Sequence, residues 1–461
     1  MSYDVFGKRC TVLGLGVSNL PLIDYLLRHG ARVTARDLRD IDPSKEPFAQ
    51  YAARGVQFVC GARYLDSLDG DILFRSPGIR PDLPEIVAAV KNGARLSSEM
   101  ELFFELCPAK IFAVTGSDGK TTTTTLTYKM LEAAAAREGR GRKVYVGGNI
   151  GAPLLPHVEE MTEQDFAVVE LSSFQLMTMQ KSAFAAAITN ITPNHLNWHT
   201  DMAEYTEAKL NVYKHGTKRV VLNADNALTA AQIGKTGAEE IVFSLEPTSS
   251  ERSAKAMICD SNGVITVNGE PFLRCADIRL PGHFNIANYM CAIGLTLGYA
   301  GHEDVTALAK SFGGVEHRNE FVRECGGVKY YNSSIDSSPS RTMAALGAYP
   351  QKPILICGGR DKHVPFDSLA SEILRRAKAL ILTGEAKDQI LAAVQNAPEY
   401  KPGKLPILIE EDFTNAVQAA RTLAAPGDTV LLSPACTSFD AFCNFEARGQ
   451  KFKEIVNAFQ D

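Results

Sequence analysis

Short apolar runs punctuate this chain, and nearly all break the same way. Lys8–Leu13, Ala31–Ala35, Asp71–Phe74, Ile111–Val114, Phe166–Val169, Ala185–Ile191, Val328–Tyr331, Pro353–Cys357, Ala379–Leu382 and Thr429–Leu432 each run into a Gly-rich or polar loop. Several of those loops open stretches with helical capacity. Apolar strand, polar loop, then helix is the repeating unit of parallel α/β sheets buried on both faces. The pattern predicts an α/β protein of three domains: Rossmann-like at residues 1–107, a P-loop-type mononucleotide-binding domain at 108–312, and a second Rossmann-like domain at 313–461. A chain of 461 residues is too long for one core, which agrees with that division.

Composition narrows the class. With 48 basic and 53 acidic side chains the net charge is −5, so the chain lacks the basic excess that a nucleic-acid backbone requires. No run is long enough to span a bilayer, and the first residues hold no apolar signal core. Ten cysteines lie scattered without a CxxC pair, as expected of reduced thiols. The expectation is a cytoplasmic monomer with no nucleic-acid or membrane partner.

The chemistry centres on Gly116-Ser117-Asp118-Gly119-Lys120-Thr121-Thr122, after the strand Ile111–Val114. Strand, Gly loop and helix start form a phosphate cradle: backbone N–H groups and the helix dipole face the anion, Lys120 adds a mobile charge, and the Thr121 hydroxyl suits Mg²⁺. Glu170 ends the strand Phe166–Glu170, where α/β sheets place ligands, and is a candidate Mg²⁺ ligand. His195 follows another strand and reads equally as packing residue or ligand. Lys209 lies on a helix predicted over Met202–Tyr213 and reads as solvated. Asn288 sits where a helix over Tyr289–Leu297 begins, as a cap or an adenine reader. Near the N-terminus, Gly14-Leu15-Gly16-Val17-Ser18-Asn19 is an imperfect GxGxxG turn with Asp37 about twenty residues on; Ser76-Pro77-Gly78 is a second candidate diphosphate turn. Judged on the first turn and Asp37 alone, the chain would be an NAD-dependent oxidoreductase, which leaves Gly116–Thr122 and Glu170 unexplained.

Taken in order, Gly116–Thr122, Gly148–Gly151, Glu170–Leu176, Asn194-His195-Leu196, Ala208-Lys209-Leu210, His317–Glu320, Gly358-Gly359, Leu432–Asp440 and Asn444–Gly449 resemble the Mur ligase family of ATP-dependent amide-bond synthetases. The last two blocks resemble the branch that adds D-glutamate. The resemblance spans essentially the whole chain. It implies an ATP-dependent acid–amino-acid ligase of peptidoglycan precursor synthesis that adds D-glutamate to UDP-N-acetylmuramoyl-L-alanine through an acyl phosphate. By the same resemblance, ATP is held by Gly116 to Thr122 with Asn288, Arg318 and Asp336. One Mg²⁺ falls to Thr121 and Glu170, and a second to His195 and a carbamoylated Lys209, which overturns the solvated reading of that lysine. Lys120, His195 and Lys209 become the catalytic set. UDP-substrate contacts fall on Ser18, Asp37, Arg39, Ser76, Gly78, Asn149 and His195, and D-glutamate contacts on Lys362, Ser438, Phe439 and Phe445. The chain departs from the family where Ser333 and Ile335 replace an Asp and a Lys, with Asp336 three positions beyond Ser333 as a substitute carboxylate. Arg360 and Asn197 stand where Asp is usual.

Overall fold

The computed structural model describes residues 4–246, 254–361 and 364–460. They form two compact units, one of residues 1–275 and 286–308, the other of 276–285 and 309–461.

The first unit holds two sheets. In the N-terminal sheet, β1 (Arg9–Leu13), β2 (Arg32–Asp37), β3 (Gln57–Cys60), β4 (Ile72–Arg75) and β5 (Arg95–Ser97) lie in the order β3-β2-β1-β4-β5, all parallel. The strand order reverses between β1 and β4, so the loops after those two strands flank one crevice, the place where open α/β sheets take ligands. Both candidate Gly turns are those loops.

The second sheet contains β6 (Lys110–Thr115), β7 (Val144–Gly148), β8 (Phe166–Glu170), β9 (Ala185–Ile188), β10 (Arg219–Asn223), β11 (Glu239–Ser244), β12 (Ala256–Ser261), β13 (Val264–Val267) and β14 (Glu270–Arg274). Its order is β14-β13-β12-β11-β10-β9-β6-β8-β7, parallel from β7 to β12 and closed by an antiparallel hairpin. Phe112, Ala113, Val114, Val168 and Val169 are fully buried, as central strands covered on both faces require. β6 sits between β8 and β9, so the phosphate loop, the Glu170 strand end and the His195 loop emerge side by side.

The second unit carries β15 (Glu320–Cys325), β16 (Val328–Asn332), β17 (Ile354–Gly358), β18 (Ala379–Thr383), β19 (Ile407–Ile409) and β20 (Thr429–Leu432) in the order β15-β16-β20-β17-β18-β19. Only β15 is antiparallel.

Three boundaries differ from the sequence expectation. The strand predicted over Ala185–Ile191 ends at Ile188, because the following residues turn to brace the phosphate loop: Ser117 N–H donates to the Asn190 carbonyl at 2.9 Å. The helix at Met202 ends at Leu210, where Val212 and Tyr213 bond three residues back and tighten into turns. The helix predicted from Tyr289 starts at His283, so Asn285 and Asn288 lie inside it. Asn285 Nδ2 instead donates back to the Pro281 carbonyl at 2.7 Å.

Candidate active site

The phosphate loop is shaped by what a side chain would strike. At Gly116, with φ +150°, a Cβ would lie 1.8 Å from Thr189 Oγ1; at Gly119, with φ +79°, it would lie 2.3 Å from Asn288 Oδ1. Glycine is required at both. Ser117 turns inward: its hydroxyl accepts from Thr192 N–H at 2.9 Å and meets Tyr205 OH at 2.9 Å. Asp118 N–H donates to Asn190 Oδ1 at 3.0 Å, and the Asp118 carbonyl accepts from Thr189 Oγ1. Thr121 and Thr122 occupy the first turn of the helix Lys120–Glu138, whose positive end faces the loop. Lys120 Nζ folds over the loop and donates to the Gly116 and Ser117 carbonyls, each at 3.0 Å.

Lys209 meets the same loop. Its Nζ donates to the Gly116 carbonyl at 2.6 Å and stands 4.6 Å from the Tyr205 ring centre. The side chain is 1 % exposed. Burial, reinforced by the charge of Lys120, drives its pKa well below the ordinary lysine value, partly opposed by Asp118 and Glu170. The solvated reading of Lys209 therefore fails on geometry.

Glu170 is also buried. Asn149 Nδ2 donates to its Oε1 at 2.9 Å, while Oε2 is buried without a hydrogen-bond partner among the described residues. A buried, unpartnered carboxylate oxygen beside a phosphate loop fits a Mg²⁺ ligand. His195 is exposed, at φ +55°, with its ring 5.0 Å from Phe174. Its neighbour His199 is structural: buried, it bonds Glu204 through Nδ1 at 3.1 Å and Ser173 Oγ through Nε2 at 2.9 Å. Asn288 reaches the phosphate-loop helix, its Oδ1 accepting from Thr123 Oγ1 at 3.3 Å.

The N-terminal crevice is equally built. Arg39 grips Asp37 with Nε and Nη2, each at 2.9 Å, and Leu15 N–H donates to Asp37 Oδ2 at 2.7 Å. The Arg39 contact above all holds the Asp37 carboxyl down at about 2. Ser18 is half-buried at the cap of the helix Asn19–Arg28 and makes no side-chain cap bond. Asn19, in the third-Gly position, donates to the Gly14 carbonyl at 2.7 Å and so pins the turn. Gly14 has φ +84°, and a Cβ there would stand 2.8 Å from Ser76 Cβ, which packs the two turns against each other.

Two arginines were not singled out from sequence. Arg75 is 1 % exposed and donates to the Pro77 carbonyl at 2.9 Å, the Ile79 carbonyl at 2.5 Å and the Phe174 carbonyl at 2.8 Å, fixing the Ser76–Gly78 turn from below. Arg80 bridges that loop to Trp198 and Glu204. Their signal was an Arg on either side of a Pro-Gly turn, but the partners that tie that turn to the second sheet, Phe174, Trp198 and Glu204, are far away in sequence.

In the second unit, Arg448 is the hub. It is 2 % exposed and donates to the Ser334 carbonyl at 2.9 Å, the Cys436 carbonyl at 3.1 Å and the Thr437 carbonyl at 3.2 Å. Gly359 passes so close that a Cβ would lie 2.9 Å from Arg448 Nη1. Ser438 is buried, Phe439 is 58 % exposed, and Phe445 opens the helix Phe445–Asn457 with its ring 6.1 Å from His317. Arg318 is half-buried beside His317. Asp336 points inward, accepting from Ser433 Oγ at 2.8 Å, and burial raises its pKa. Lys362 lies outside the described residues.

All ten cysteines are free thiols, and no described helix is long and apolar enough to cross a membrane.

A phosphate loop beside a buried carboxylate and a buried lysine, on a central parallel sheet, defines a phosphate-loop α/β nucleotide-dependent enzyme. Family comparison resolves it further. Residues 8–98 match the Mur ligase MurD-like N-terminal domain, 114–296 the Mur ligase middle domain, and 317–436 the Mur ligase glutamate ligase domain. Proteins named UDP-N-acetylmuramoylalanine–D-glutamate ligase are 45% identical in Clostridium novyi, over 98% of this chain and 96% of the relative, and in Ruminiclostridium cellulolyticum, over 98% and 97%. The fold is also that of the UDP-N-acetylmuramate–alanine ligase of Thermotoga maritima, at TM-score 0.57 and 18% identity over 98% of this chain and 99% of that one. A pseudomurein peptide ligase type C from Methanothermus fervidus gives TM-score 0.54 at 15% identity, over 98% and 99%. The chain belongs to the Mur ligase family.

Proposed function

We propose that this chain is an ATP-dependent acid–amino-acid ligase that joins D-glutamate to UDP-N-acetylmuramoyl-L-alanine in cytoplasmic peptidoglycan precursor synthesis. The observation that carries the reading is the meeting of Lys120 and Lys209 on the Gly116 carbonyl, with the unpartnered Glu170 oxygen on the adjoining strand end. Near-full-length relatives of that name support the choice of substrates.

In this reading, residues 1–107 hold the UDP end of the substrate through Ser18, Asp37, Arg39, Ser76 and Gly78, joined by Asn149 and His195. Residues 108–312 hold ATP, and 313–461 hold the amino acid. The alanyl carboxylate oxygen attacks the γ-phosphorus and ADP leaves, forming an acyl phosphate. The amine of D-glutamate then attacks the carbonyl carbon; phosphate leaves with the former carboxylate oxygen, and the nitrogen loses a proton. Lys120 and the helix start bind the phosphates and offset charge that grows on the transferring group. Thr121 and Glu170 would hold one Mg²⁺, and His195 with Lys209 a second; the metal supplies charge neutralisation at the phosphoryl oxygens. The depressed pKa of Lys209 raises the share of neutral amine, the form that adds CO₂, which fits carbamoylation. Arg318, Asn288 and Asp336 serve the nucleotide, and Lys362, Ser438, Phe439 and Phe445 the glutamate.

The test is phosphate release with ATP, Mg²⁺ and UDP-N-acetylmuramoyl-L-alanine, screening D-glutamate against other amino acids. Turnover with D-glutamate alone is expected. Turnover with a different amino acid would retain the ATP chemistry and reject the amino-acid assignment.

A further inference from the structure

One guanidinium in the first unit has every proton engaged, and none of the substrate assignments uses it. Arg80 Nε donates to Asp82 Oδ1 at 2.8 Å, and Nη2 to Asp82 Oδ2 and Glu204 Oε1, each at 2.8 Å. Nη1 donates to Glu204 Oε2 at 3.1 Å and to the Trp198 carbonyl at 2.7 Å. Its carbon also stands 5.0 Å from the Trp198 ring centre. These five bonds exhaust what an arginine can donate.

The partners are placed where chemistry is expected. Trp198 Nε1 donates to the Gly78 carbonyl at 3.1 Å, so the residue that Arg80 holds itself holds the Ser76–Gly78 turn. Glu204 lies on the same helix as Lys209. Its Oε2 also accepts from Thr200 N–H at 2.9 Å and meets His199 Nδ1, whose other nitrogen reaches Ser173, three residues after Glu170. Phe174 stacks on His199 and packs edge-on against His195 and Trp198. The exposed His195 loop is thereby tied down at one end, by Arg80, to the turn that would carry the UDP group.

We propose that Arg80 is a positioning residue that sets the spacing between the UDP-binding turn at Ser76–Gly78 and the catalytic loop at His195. It acts through Trp198 and Glu204 and touches no substrate. The inference rests on the ligase reading above. Arg80 provides two parallel bonds to Glu204 in a fixed plane and one to a carbonyl; lysine keeps the charge and loses the fork.

The experiment compares Arg80→Gln, Arg80→Lys and Trp198→Phe with the wild type in the phosphate-release assay, varying one substrate at a time. Both Arg80 variants are expected to raise KM for the UDP-substrate and lower kcat, the combined loss in kcat/KM being roughly ten- to a hundredfold, as small displacements of reacting groups produce. KM for D-glutamate should stay within about twofold, since its proposed residues lie in the other unit. Recovery of wild-type kinetics in Arg80→Lys, or a lowered Tm with all constants unchanged, would overturn the proposal. Should the Arg80 variants not fold, Trp198→Phe decides. It keeps the packing and removes the bond to Gly78, so a raised KM for the UDP-substrate supports the proposal and an unchanged one rejects it. Failure of the ligase reading is distinct, because the wild type itself would then release no phosphate in response to the UDP-substrate.

Discussion

Lys209 shows how far burial can change a side chain's chemistry. On an isolated helix it is a flexible surface cation; here it is 1 % exposed and shares the Gly116 carbonyl with Lys120. Lys120 and Glu170 are the two side chains whose removal should separate chemistry from folding. Lys120→Ala and Glu170→Ala are each expected to lower ADP release by about a hundred- to a thousandfold with an unchanged circular dichroism spectrum. Normal turnover in either folded variant would reject the ATP-site assignment. Asp37 gives a pH test at the same scale. Its folded pKa, about 2, lies below the ordinary 3.8, so the unfolded chain binds its proton first. The stability it contributes is present above 3.8 and is lost as pH falls toward 2. The Tm gap between wild type and Asp37→Asn, measured across that window, should shrink as pH falls; a constant gap would show that the Arg39 pairing carries no such linkage.

At the scale of elements, the loops after the strands are held by side chains from distant parts of the chain. Arg448 comes from the C-terminal helix and satisfies carbonyls after β16 and β20. Arg448→Ala strands those carbonyls and is expected to destabilise the second unit by about 3 kcal/mol or more. Denaturant unfolding measures it, and a change under about 0.5 kcal/mol would contradict the hub role. The phosphate loop was legible in sequence because its parts are contiguous: strand, glycines, Lys-Thr and helix start follow one another, and each is a backbone requirement. The crevice between β1 and β4 was legible for the same reason, since both Gly turns follow apolar strands. Arg75, Arg80 and Arg448 were not, because each depends on at least one distant partner, Phe174, Glu204 or Ser334, brought close only by packing. Of the two readings of Asn288, the cap fails because the helix begins at His283, five residues before it. Lys209 read as solvated because spacing on one helix carries no record of what covers it.

For the whole molecule, three sheets each present a distinct set of loops at their strand ends. The N-terminal sheet offers two Gly turns and an Arg39–Asp37 pair, the second sheet a phosphate loop, and the third a set of loops cross-linked by Arg448. A net charge of −5 gives no field to draw in anionic substrates, so in the proposed reading recognition falls to local groups: backbone N–H clusters, Arg39 and Lys120. The proposed acyl-phosphate route predicts a defined path for one oxygen atom. The most direct measurement of the central claim uses UDP-N-acetylmuramoyl-L-alanine with both alanyl carboxylate oxygens labelled with ¹⁸O, ATP, Mg²⁺ and D-glutamate. Mass spectrometry should find one ¹⁸O in the released phosphate and one retained in an amide product heavier by the glutamate residue. Unlabelled phosphate, or no such amide, would contradict the account.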